Sequence, residues 1–191
     1  CHPVSEQDTI LVHSAAGGVG MIITQWARTT GAHVIGVVSS NEKADFAAQY
    51  GCHDVIISTS ENIPERARAL TDGVGVTAVF DAVGADSFES SLASLRPRGN
   101  LVTYGSSSGP VPPFDIFRLN EMGSLRITAG AFYWHMQTGD EIRARAKTLF
   151  DIVSSGAVKI VISNEFSLAD VADAHRAMES RSTLGMTILI P

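Results

Sequence analysis

A glycine-rich segment near the start of the chain limits its possible folds more than any other feature. Residues 13–20 read His-Ser-Ala-Ala-Gly-Gly-Val-Gly; a β-branched run precedes them and apolar residues at helical spacing follow. In a G-x-G-x-x-G turn, one glycine permits the tight turn, one admits a pyrophosphate, and one lets helix and strand pack closely. Ala15, Gly17 and Gly20 occupy these positions, so alanine replaces the first glycine. The segment predicts the opening of a dinucleotide-binding unit, with further candidate contacts at Ala16, Gly18 and Val19.

Strands and helices alternate along the rest of the chain. Short apolar runs predict strands, and apolar residues three and four positions apart predict helices. The predicted strands are residues 9–12, 34–38, 55–58, 76–80, 101–104, 125–128 and 186–190. The predicted helices are residues 19–31, 42–50, 64–70, 87–94, 141–155 and 168–179. This order predicts an α/β fold: a doubly wound parallel sheet (Rossmann fold) of about six strands with helices on both faces.

Three of the predicted helices have an apolar face that we expect to be buried. In the first helix this face consists of Val19, Ile22, Ile23, Trp26 and Ala27. In the helix at residues 141–155 it consists of Ile142, Ala146, Leu149, Phe150 and Val153. In the last helix it consists of Val171, Ala174, His175 and Met178, and we expect His175 to be a packed or half-exposed residue of this face rather than a ligand.

Composition and charge exclude several classes of partner. The formal net charge of −6 argues against a surface for nucleic acid or an anionic membrane, which requires clustered positive charge. Cys1 and Cys52 cannot form a disulfide framework, and no histidine or cysteine spacing predicts a metal site. We see neither a membrane span nor a secretory leader, so the cytoplasm is the expected compartment. The chain begins abruptly, without methionine, like an excised domain.

The end of the second strand predicts which nicotinamide cofactor binds. An NAD-selective site has an acidic residue there, which accepts hydrogen bonds from the ribose 2′-hydroxyl and repels a 2′-phosphate. Val38 occupies that position, Ser39 and Ser40 follow, and Lys43 supplies a cation one helical turn later. This pattern favours NADPH. The alternative is that the serines only cap the next helix and that Lys43 is a solvated surface residue beside Glu42.

Further polar and aromatic residues follow the fourth and later strands. Asp81 ends the fourth strand, where a carboxylate can cap the following turn, and we favour this structural role over a catalytic one. A glycine- and proline-rich loop at residues 105–113 follows the fifth strand, where such sheets present functional backbone. Tyr133 or His135, in an aromatic stretch, could donate a proton, although such clusters more often serve packing. The sequence identifies no catalytic residue.

Several of these segments together resemble one enzyme family. The Ala-Ala-Gly-Gly-Val-Gly turn, the Ser-Ser-x-x-Lys segment, the Asp-Ala-Val-Gly sequence from Asp81 and the Gly-Ser-Ser-Ser-Gly loop from Gly105 are similar to the zinc-independent quinone oxidoreductases of the medium-chain dehydrogenase/reductase superfamily, which include zeta-crystallin. The resemblance implies hydride transfer from NADPH to a quinone or conjugated carbonyl. It also implies one domain, with a core at residues 9–155 and a segment at 156–191 that returns to a GroES-like catalytic domain ahead of residue 1.

The resemblance also assigns candidate cofactor contacts. It implies that residues 16–19 contact the pyrophosphate and that Ser39, Ser40 and Lys43 hold the 2′-phosphate. Ser58 stands where the family often has a tyrosine near the adenosine phosphate. The remaining assignments are Val83 and Gly84 on the adenosine side, Tyr104, Ser106, Ser107 and Ser108 near the nicotinamide, and Thr183 and Gly185 at the carboxyl-terminal contact. Met186 replaces a lysine common after that glycine.

Three functions remain open from the sequence. The first is the cofactor domain of an NADPH:quinone reductase, which acts on a small molecule. The second is a zinc-dependent alcohol dehydrogenase or an enoyl reductase of the same superfamily, and the third is a non-catalytic NADPH sensor. Cofactor domains of this superfamily commonly pair through the sheet edge, so we expect a homodimer through the strand near Leu125, with Phe132 and Trp134 buried. Alternatively, a loop covers that edge and the aromatic residues line the cofactor cleft.

Overall fold

The computed structural model describes residues 2–180 and 183–191, and Cys1 lies outside them. The strands are β1 (Thr9–His13), β2 (His33–Val38), β3 (Asp54–Ile57), β4 (Val76–Asp81), β5 (Leu95–Thr103), β6 (Arg126–Ala129), β7 (Ile162–Ser167) and β8 (Met186–Ile190). The helices are α1 (Gly18–Thr29), α2 (Asn41–Gln49), α3 (Ile63–Ala69), α4 (Phe88–Ser94), α5 (Phe117–Glu121), α6 (Gly139–Ser154) and α7 (Val171–Glu179). Short 3-10 turns cover Phe132–Trp134 and Leu168–Asp170.

Six strands form one parallel sheet in the order β3-β2-β1-β4-β5-β6. The strand order reverses between β1 and β4, which is the switch point where ligands bind in doubly wound sheets. The predicted Rossmann fold is therefore confirmed. β7 and β8 form a separate parallel pair.

Apolar side chains on both faces of the sheet form the core. Successive residues of a strand point to opposite faces, so Leu11 and Ile35 pack in one cluster while Ile10 and Val34 pack in the other. All four side chains are fully buried. Burial of such a side chain contributes about 1.5–3 kcal/mol, which explains why continuous apolar runs identified the central strands.

Helix α1 buries only part of the face that we predicted, since Ala27 is buried and Ile23 packs against the core. Its buried residues are Gly20, Met21, Thr24, Gln25 and Ala27. Val19 is 58% exposed, and Trp26 is only half-buried rather than part of the core. Thr24 tolerates burial because its hydroxyl donates to the carbonyl oxygen of Tyr50 at 2.9 Å. Helical periodicity could not reveal this face, because two of its members are polar.

The carboxyl-terminal part is more open than the sequence predicted. Helix α6 begins at a capping box between Thr138 and Glu141, yet Ile142 and Phe150 on its apolar face are exposed. In α7 only Ala174 of the predicted face is buried. Strand β7 was not predicted, because its sequence Ile-Ser-Asn-Glu-Phe-Ser is largely polar. Among the described residues, no helix is both long and apolar enough to cross a lipid bilayer.

Candidate functional site

A cavity of about 660 Å³ lies at the carboxyl ends of the central strands. Its walls contain these predicted site residues: Ala16, Gly17, Ser39, Lys43, Ser58, Val83, Ser107 and Thr183. They also contain residues that we did not predict as contacts: His13, Ser14, Val37, Val38, Ile63, Asp86, Ser87, Ser90, His175, Met178 and Glu179. The other predicted residues lie outside these walls: Ala15, Gly18, Val19, Gly20, Ser40, Gly84, Tyr104, Ser106, Ser108 and Gly185.

The glycine-rich turn brings α1 against the end of β1. A Cβ atom at Gly20 would lie 2.2 Å from the carbonyl oxygen of Ser14, so this position requires glycine. Ser14 itself has a φ of 54°, in the left-handed backbone region that residues other than glycine rarely adopt. Ala15 is buried beneath the turn, where it packs near Gly36 of β2. The third glycine thus has the packing role that the sequence indicated, whereas Ala15 supports the turn from below.

The amino terminus of α1 is suited to bind an anion. Gly17 precedes the helix, no side chain caps this end, and the first turn contains no acidic residue. The first N–H groups of a helix lack partners within the helix and carry a partial positive charge. Since Gly17 lines the cavity, a pyrophosphate in the cavity can reach these groups.

A second polar corner lies at the ends of β2 and β3. The Nζ atom of Lys43 lies 3.4 Å from the hydroxyl of Ser39, and both residues line the cavity with Ser58. Ser40 caps α2 by accepting a hydrogen bond from the backbone N–H of Lys43 at 3.3 Å. The alternative interpretation, in which the serines only cap the next helix, therefore holds for Ser40. Ser39 and Lys43 instead line the cavity. Val38 ends β2, at the position where an NAD-selective site has an acidic residue.

A buried polar network lies behind the cavity wall at the β1–β4 switch point. The carboxylate of Asp81 accepts hydrogen bonds from the hydroxyls of Ser87 at 2.7 Å and Ser91 at 2.6 Å. It also accepts one from the backbone N–H of Val83 at 2.7 Å. His13 completes the network, with its Nε2 atom 3.0 Å from the Ser91 hydroxyl. These contacts agree with the predicted structural role of Asp81.

Burial and hydrogen bonding set the charges in this network. Burial favours the neutral imidazole and lowers the pKa of His13, against a weaker opposing effect of Asp81. Burial by itself raises the pKa of the Asp81 carboxyl, but His13 and the hydrogen bonds from Ser91, Ser87 and Val83 outweigh it, so this pKa lies below its ordinary value. Asp81 is therefore an ionised carboxylate at neutral pH, held by uncharged donors.

The loop after β5 is attached to the turn after β4. The backbone N–H of Ala85 donates to the carbonyl oxygen of Gly109 at 3.1 Å, and the Ser108 hydroxyl donates to that of Val83 at 2.8 Å. Ser107 reaches the cavity through this arrangement. Burial, with the nearby charge of Asp81, raises the pKa of Tyr104 to about 12, so its phenol stays protonated. The position of Tyr104 near a bound nicotinamide stays a prediction.

The carboxyl-terminal segment forms the remaining wall. The backbone N–H of Gly185 donates to the carbonyl oxygen of Ala16 at 2.8 Å, which attaches this segment directly to the glycine-rich turn. The side chain of Gln25 accepts from the backbone N–H of Lys159 at 2.9 Å and donates to its carbonyl oxygen at 3.0 Å. These contacts place Thr183 and His175 at the cavity. His175 is exposed there, rather than packed or half-exposed as we predicted.

The aromatic stretch lies away from this cavity. Phe132, Tyr133 and Trp134 are 72%, 59% and 68% exposed, and neither Tyr133 nor His135 lines the cavity. Within residues 2–180 and 183–191, no three histidine, cysteine or acidic side chains are close enough together to hold a metal ion. The described site offers the backbone N–H groups of the α1 terminus, several hydroxyls and Lys43, which is the chemistry that binds phosphate groups, and its walls also contain His13, Asp86, His175 and Glu179.

Residues 18–151 match the family of zinc-binding dehydrogenases. The chain belongs to this family. It is 41% identical over 184 residues to a quinone oxidoreductase of Pseudomonas aeruginosa, covering 96% of this chain and 57% of that protein. It is also 41% identical over 191 residues to a 2-haloacrylate reductase of a Burkholderia species, covering 100% of this chain and 57% of the relative. The resemblance to quinone oxidoreductases is thus confirmed.

A solved structure of a similar protein has the same fold as this chain. The quinone oxidoreductase of Escherichia coli, determined in complex with NADPH, superimposes with a TM-score of 0.95 at 37% identity. The alignment covers 100% of this chain and 59% of that one. The chain thus spans somewhat more than half the length of the relatives that it matches.

Proposed function

We propose that this chain binds NADPH and forms the cofactor domain of an oxidoreductase that reduces quinones or conjugated carbonyl compounds. The single observation that carries the proposal is the cavity that joins the open amino terminus of α1 to the corner formed by Ser39 and Lys43. The first can hold a pyrophosphate and the second a 2′-phosphate. The NADPH complex of the similar Escherichia coli enzyme supports the same cofactor here.

Each part of the cavity has a distinct task in this proposal. NADPH, when bound, supplies the hydride, and the protein binds, orients and shields it. The α1 terminus fixes the middle of the cofactor, while Lys43 favours the phosphorylated ribose. The walls from Ser107 and Thr183 exclude water on the remaining sides. The relatives named for quinone and 2-haloacrylate reduction support an electrophilic acceptor whose carbon skeleton can accept a hydride.

A comparison of two proteins tests this function. We expect this chain to bind NADPH but to show no appreciable quinone reduction, since a second domain must complete the substrate cleft. The full gene product that contains the chain should oxidise NADPH with one or more members of a quinone panel, followed by absorbance. Failure of the chain to bind NADPH would refute the cofactor assignment, whereas binding without turnover in the full product would favour the sensor alternative.

Exposed apolar residues support the proposed position of the catalytic domain. Residues 156–191 would return to a GroES-like domain, with residues 9–155 as the cofactor core. Ile142 and Phe150 of α6 and Met178 of α7 are exposed here and would gain by burial against another domain. We also propose that catalysis is independent of zinc and that the protein works in the cytoplasm. Metal analysis of the full gene product distinguishes this from the zinc-dependent alternative.

A homodimer through β6 completes the proposal. In the sheet, β6 pairs only with β5, which leaves its other edge without a strand neighbour among the described residues. A two-fold pairing would satisfy that edge and cover Phe132 and Trp134. Ile127→Pro removes a hydrogen-bond donor from β6 and should yield monomers by light scattering. A monomeric unmodified protein at micromolar concentration, or a well-folded dimeric variant, contradicts this interface.

A further inference from the structure

The imidazole of His13 combines deep burial with access to the cofactor cavity. Its side chain is 3% exposed, and it lines the cavity at the carboxyl end of β1, next to the glycine-rich turn. Burying a polar ring in this way is unfavourable unless its nitrogens have partners. Only one of the two nitrogens has a partner in the network with Ser91 and Asp81.

The direction of the hydrogen bonds identifies the tautomer. The Asp81 carboxylate can only accept, so the single hydroxyl proton of Ser91 is directed to it, at 2.6 Å. Ser91 must therefore accept from His13, which requires the proton of the imidazole on Nε2. Burial lowers the pKa of His13 and keeps the ring neutral, so Nδ1 carries a lone pair.

The lone pair on Nδ1 has no partner among the described residues. Ser91 accounts for the side-chain hydrogen bonding of His13, and Nδ1 is not among the fully enclosed polar atoms that lack a partner. It therefore keeps some access to solvent space, and the cavity is the space that His13 lines. A neutral acceptor in such a position is satisfied when a donor enters the cavity.

We propose that His13 is a cofactor-binding residue whose Nδ1 atom accepts a hydrogen bond from the bound dinucleotide. The donor is a neutral N–H or O–H group, either a ribose hydroxyl or the exocyclic amino group of adenine. The network through Ser91 holds the ring in the required tautomer. This inference rests on the proposed function, because it assigns one more contact to the same NADPH site.

Two variants of His13 separate cofactor binding from support of the fold. Asparagine places its terminal amide near the position of Nδ1, whereas glutamine places it near Nε2 and can still donate to Ser91. We expect His13→Gln to bind NADPH about five- to tenfold more weakly in fluorescence titration, with little change in unfolding midpoint. His13→Asn should keep NADPH affinity within about threefold but lose stability, since the bond to Ser91 is broken.

The reverse pattern would overturn the inference. If His13→Gln binds NADPH like the unmodified chain, His13 has only a structural role. If His13→Asn does not fold, Ser91→Ala is the second test: it removes the hydroxyl that holds the tautomer, so it should lower stability and also weaken NADPH binding, and an unchanged affinity would contradict the role of the network. Failure of the unmodified chain to bind NADPH instead refutes the proposed function.

A cofactor analogue identifies the donor group. Nicotinamide hypoxanthine dinucleotide phosphate lacks the adenine amino group and retains both riboses. If the amino group is the donor, the unmodified chain binds this analogue more weakly than NADPH, and His13→Gln binds both equally. If a ribose hydroxyl is the donor, His13→Gln weakens both cofactors by the same factor. If His13→Gln binds each of the two cofactors as tightly as the unmodified chain does, both forms of the inference are contradicted.

Discussion

The two parts of the chain that enclose the cavity are held in place by different forces. The wall from β1 and β2 belongs to strands whose residues are almost all buried. The opposite wall comes from the unit formed by α7, β7 and β8, where Leu168, Met178 and Ile190 remain exposed. Apolar burial therefore stabilises the first wall, whereas the second is positioned by hydrogen bonds to the Ala16 backbone and the Gln25 side chain and by the packing of Leu184 against the core. One site thus combines a fully buried wall with a more exposed wall that is attached at a few contacts.

The largest expected effect comes from a substitution that disrupts the wall formed by β1, β2 and the glycine-rich turn. Gly20→Ala places a Cβ atom against the carbonyl oxygen of Ser14, where an added atom would be 2.2 Å away. The backbone must move, so we expect a loss of about 3 kcal/mol or more in the free energy of unfolding, measured by denaturant titration. Gly139→Ala at the start of α6 is the matched control, because its new Cβ would meet only the flexible side chain of Arg143. Equal effects at both positions would contradict this account.

Removal of the buried carboxylate should have the next largest effect. Asp81→Ala leaves the hydroxyls of Ser87 and Ser91 and the N–H of Val83 without their acceptor. We expect a loss of about 3 kcal/mol in the free energy of unfolding at pH 7. The exposed residue Asp45 provides the control, since Asp45→Ala should cost less than about 0.5 kcal/mol.

The same carboxylate also predicts a pH dependence. The pKa of Asp81 is lowered in the folded protein, so its stabilising effect is complete above the ordinary value of 3.8 and is lost as the pH falls through the folded pKa. Acid unfolding curves should therefore be less steep for Asp81→Ala than for the unmodified chain in that range. A parallel pair of curves would show that Asp81 does not contribute to acid unfolding.

A substitution with a smaller effect should show that the two walls are stabilised independently. Gln25→Met keeps the length of the side chain but removes both hydrogen bonds to Lys159. We expect a loss of about 1–3 kcal/mol, concentrated in the carboxyl-terminal unit. Hydrogen exchange should become faster in β7 and β8 and stay unchanged in β1 and β2. Gln49→Met, at an exposed position of α2, is the control; uniform acceleration throughout the chain by Gln25→Met would show that the walls are not independent.

The smallest expected effect concerns ligand selectivity alone. Lys43→Ala should weaken NADPH binding by about 1–2 kcal/mol, because a charge-assisted contact to the 2′-phosphate is lost, while NADH binding is spared. Calorimetric titration with both cofactors measures this difference. Lys147→Ala, on exposed helix α6, should change neither affinity. Equal affinities of the unmodified chain for NADPH and NADH would contradict the role of Lys43.

The sequence predicted the sheet better than the faces of its helices. Strands β1 and β2 were found because a parallel strand covered on both sides is apolar along its whole length. The burial of Thr24 and Gln25 in α1 was missed, because a polar side chain is buried only where a residue distant in sequence supplies its hydrogen-bond partner. Tyr50 and Lys159 provide those partners from other elements. Strand β7 was missed for a related reason, since its pairing with β8 leaves most of its side chains exposed.

Local signals in the sequence determined the dinucleotide turn, the six-strand sheet and the absence of an acid at Val38. Glycine spacing and apolar runs act over a few residues, so they can be interpreted without the rest of the molecule. The tertiary structure alone decided which polar residues meet. It joins His13 to Ser91 across 78 positions, and it brings Gly185 to the backbone of Ala16. Such contacts depend on the crossovers of the fold, which no local pattern specifies.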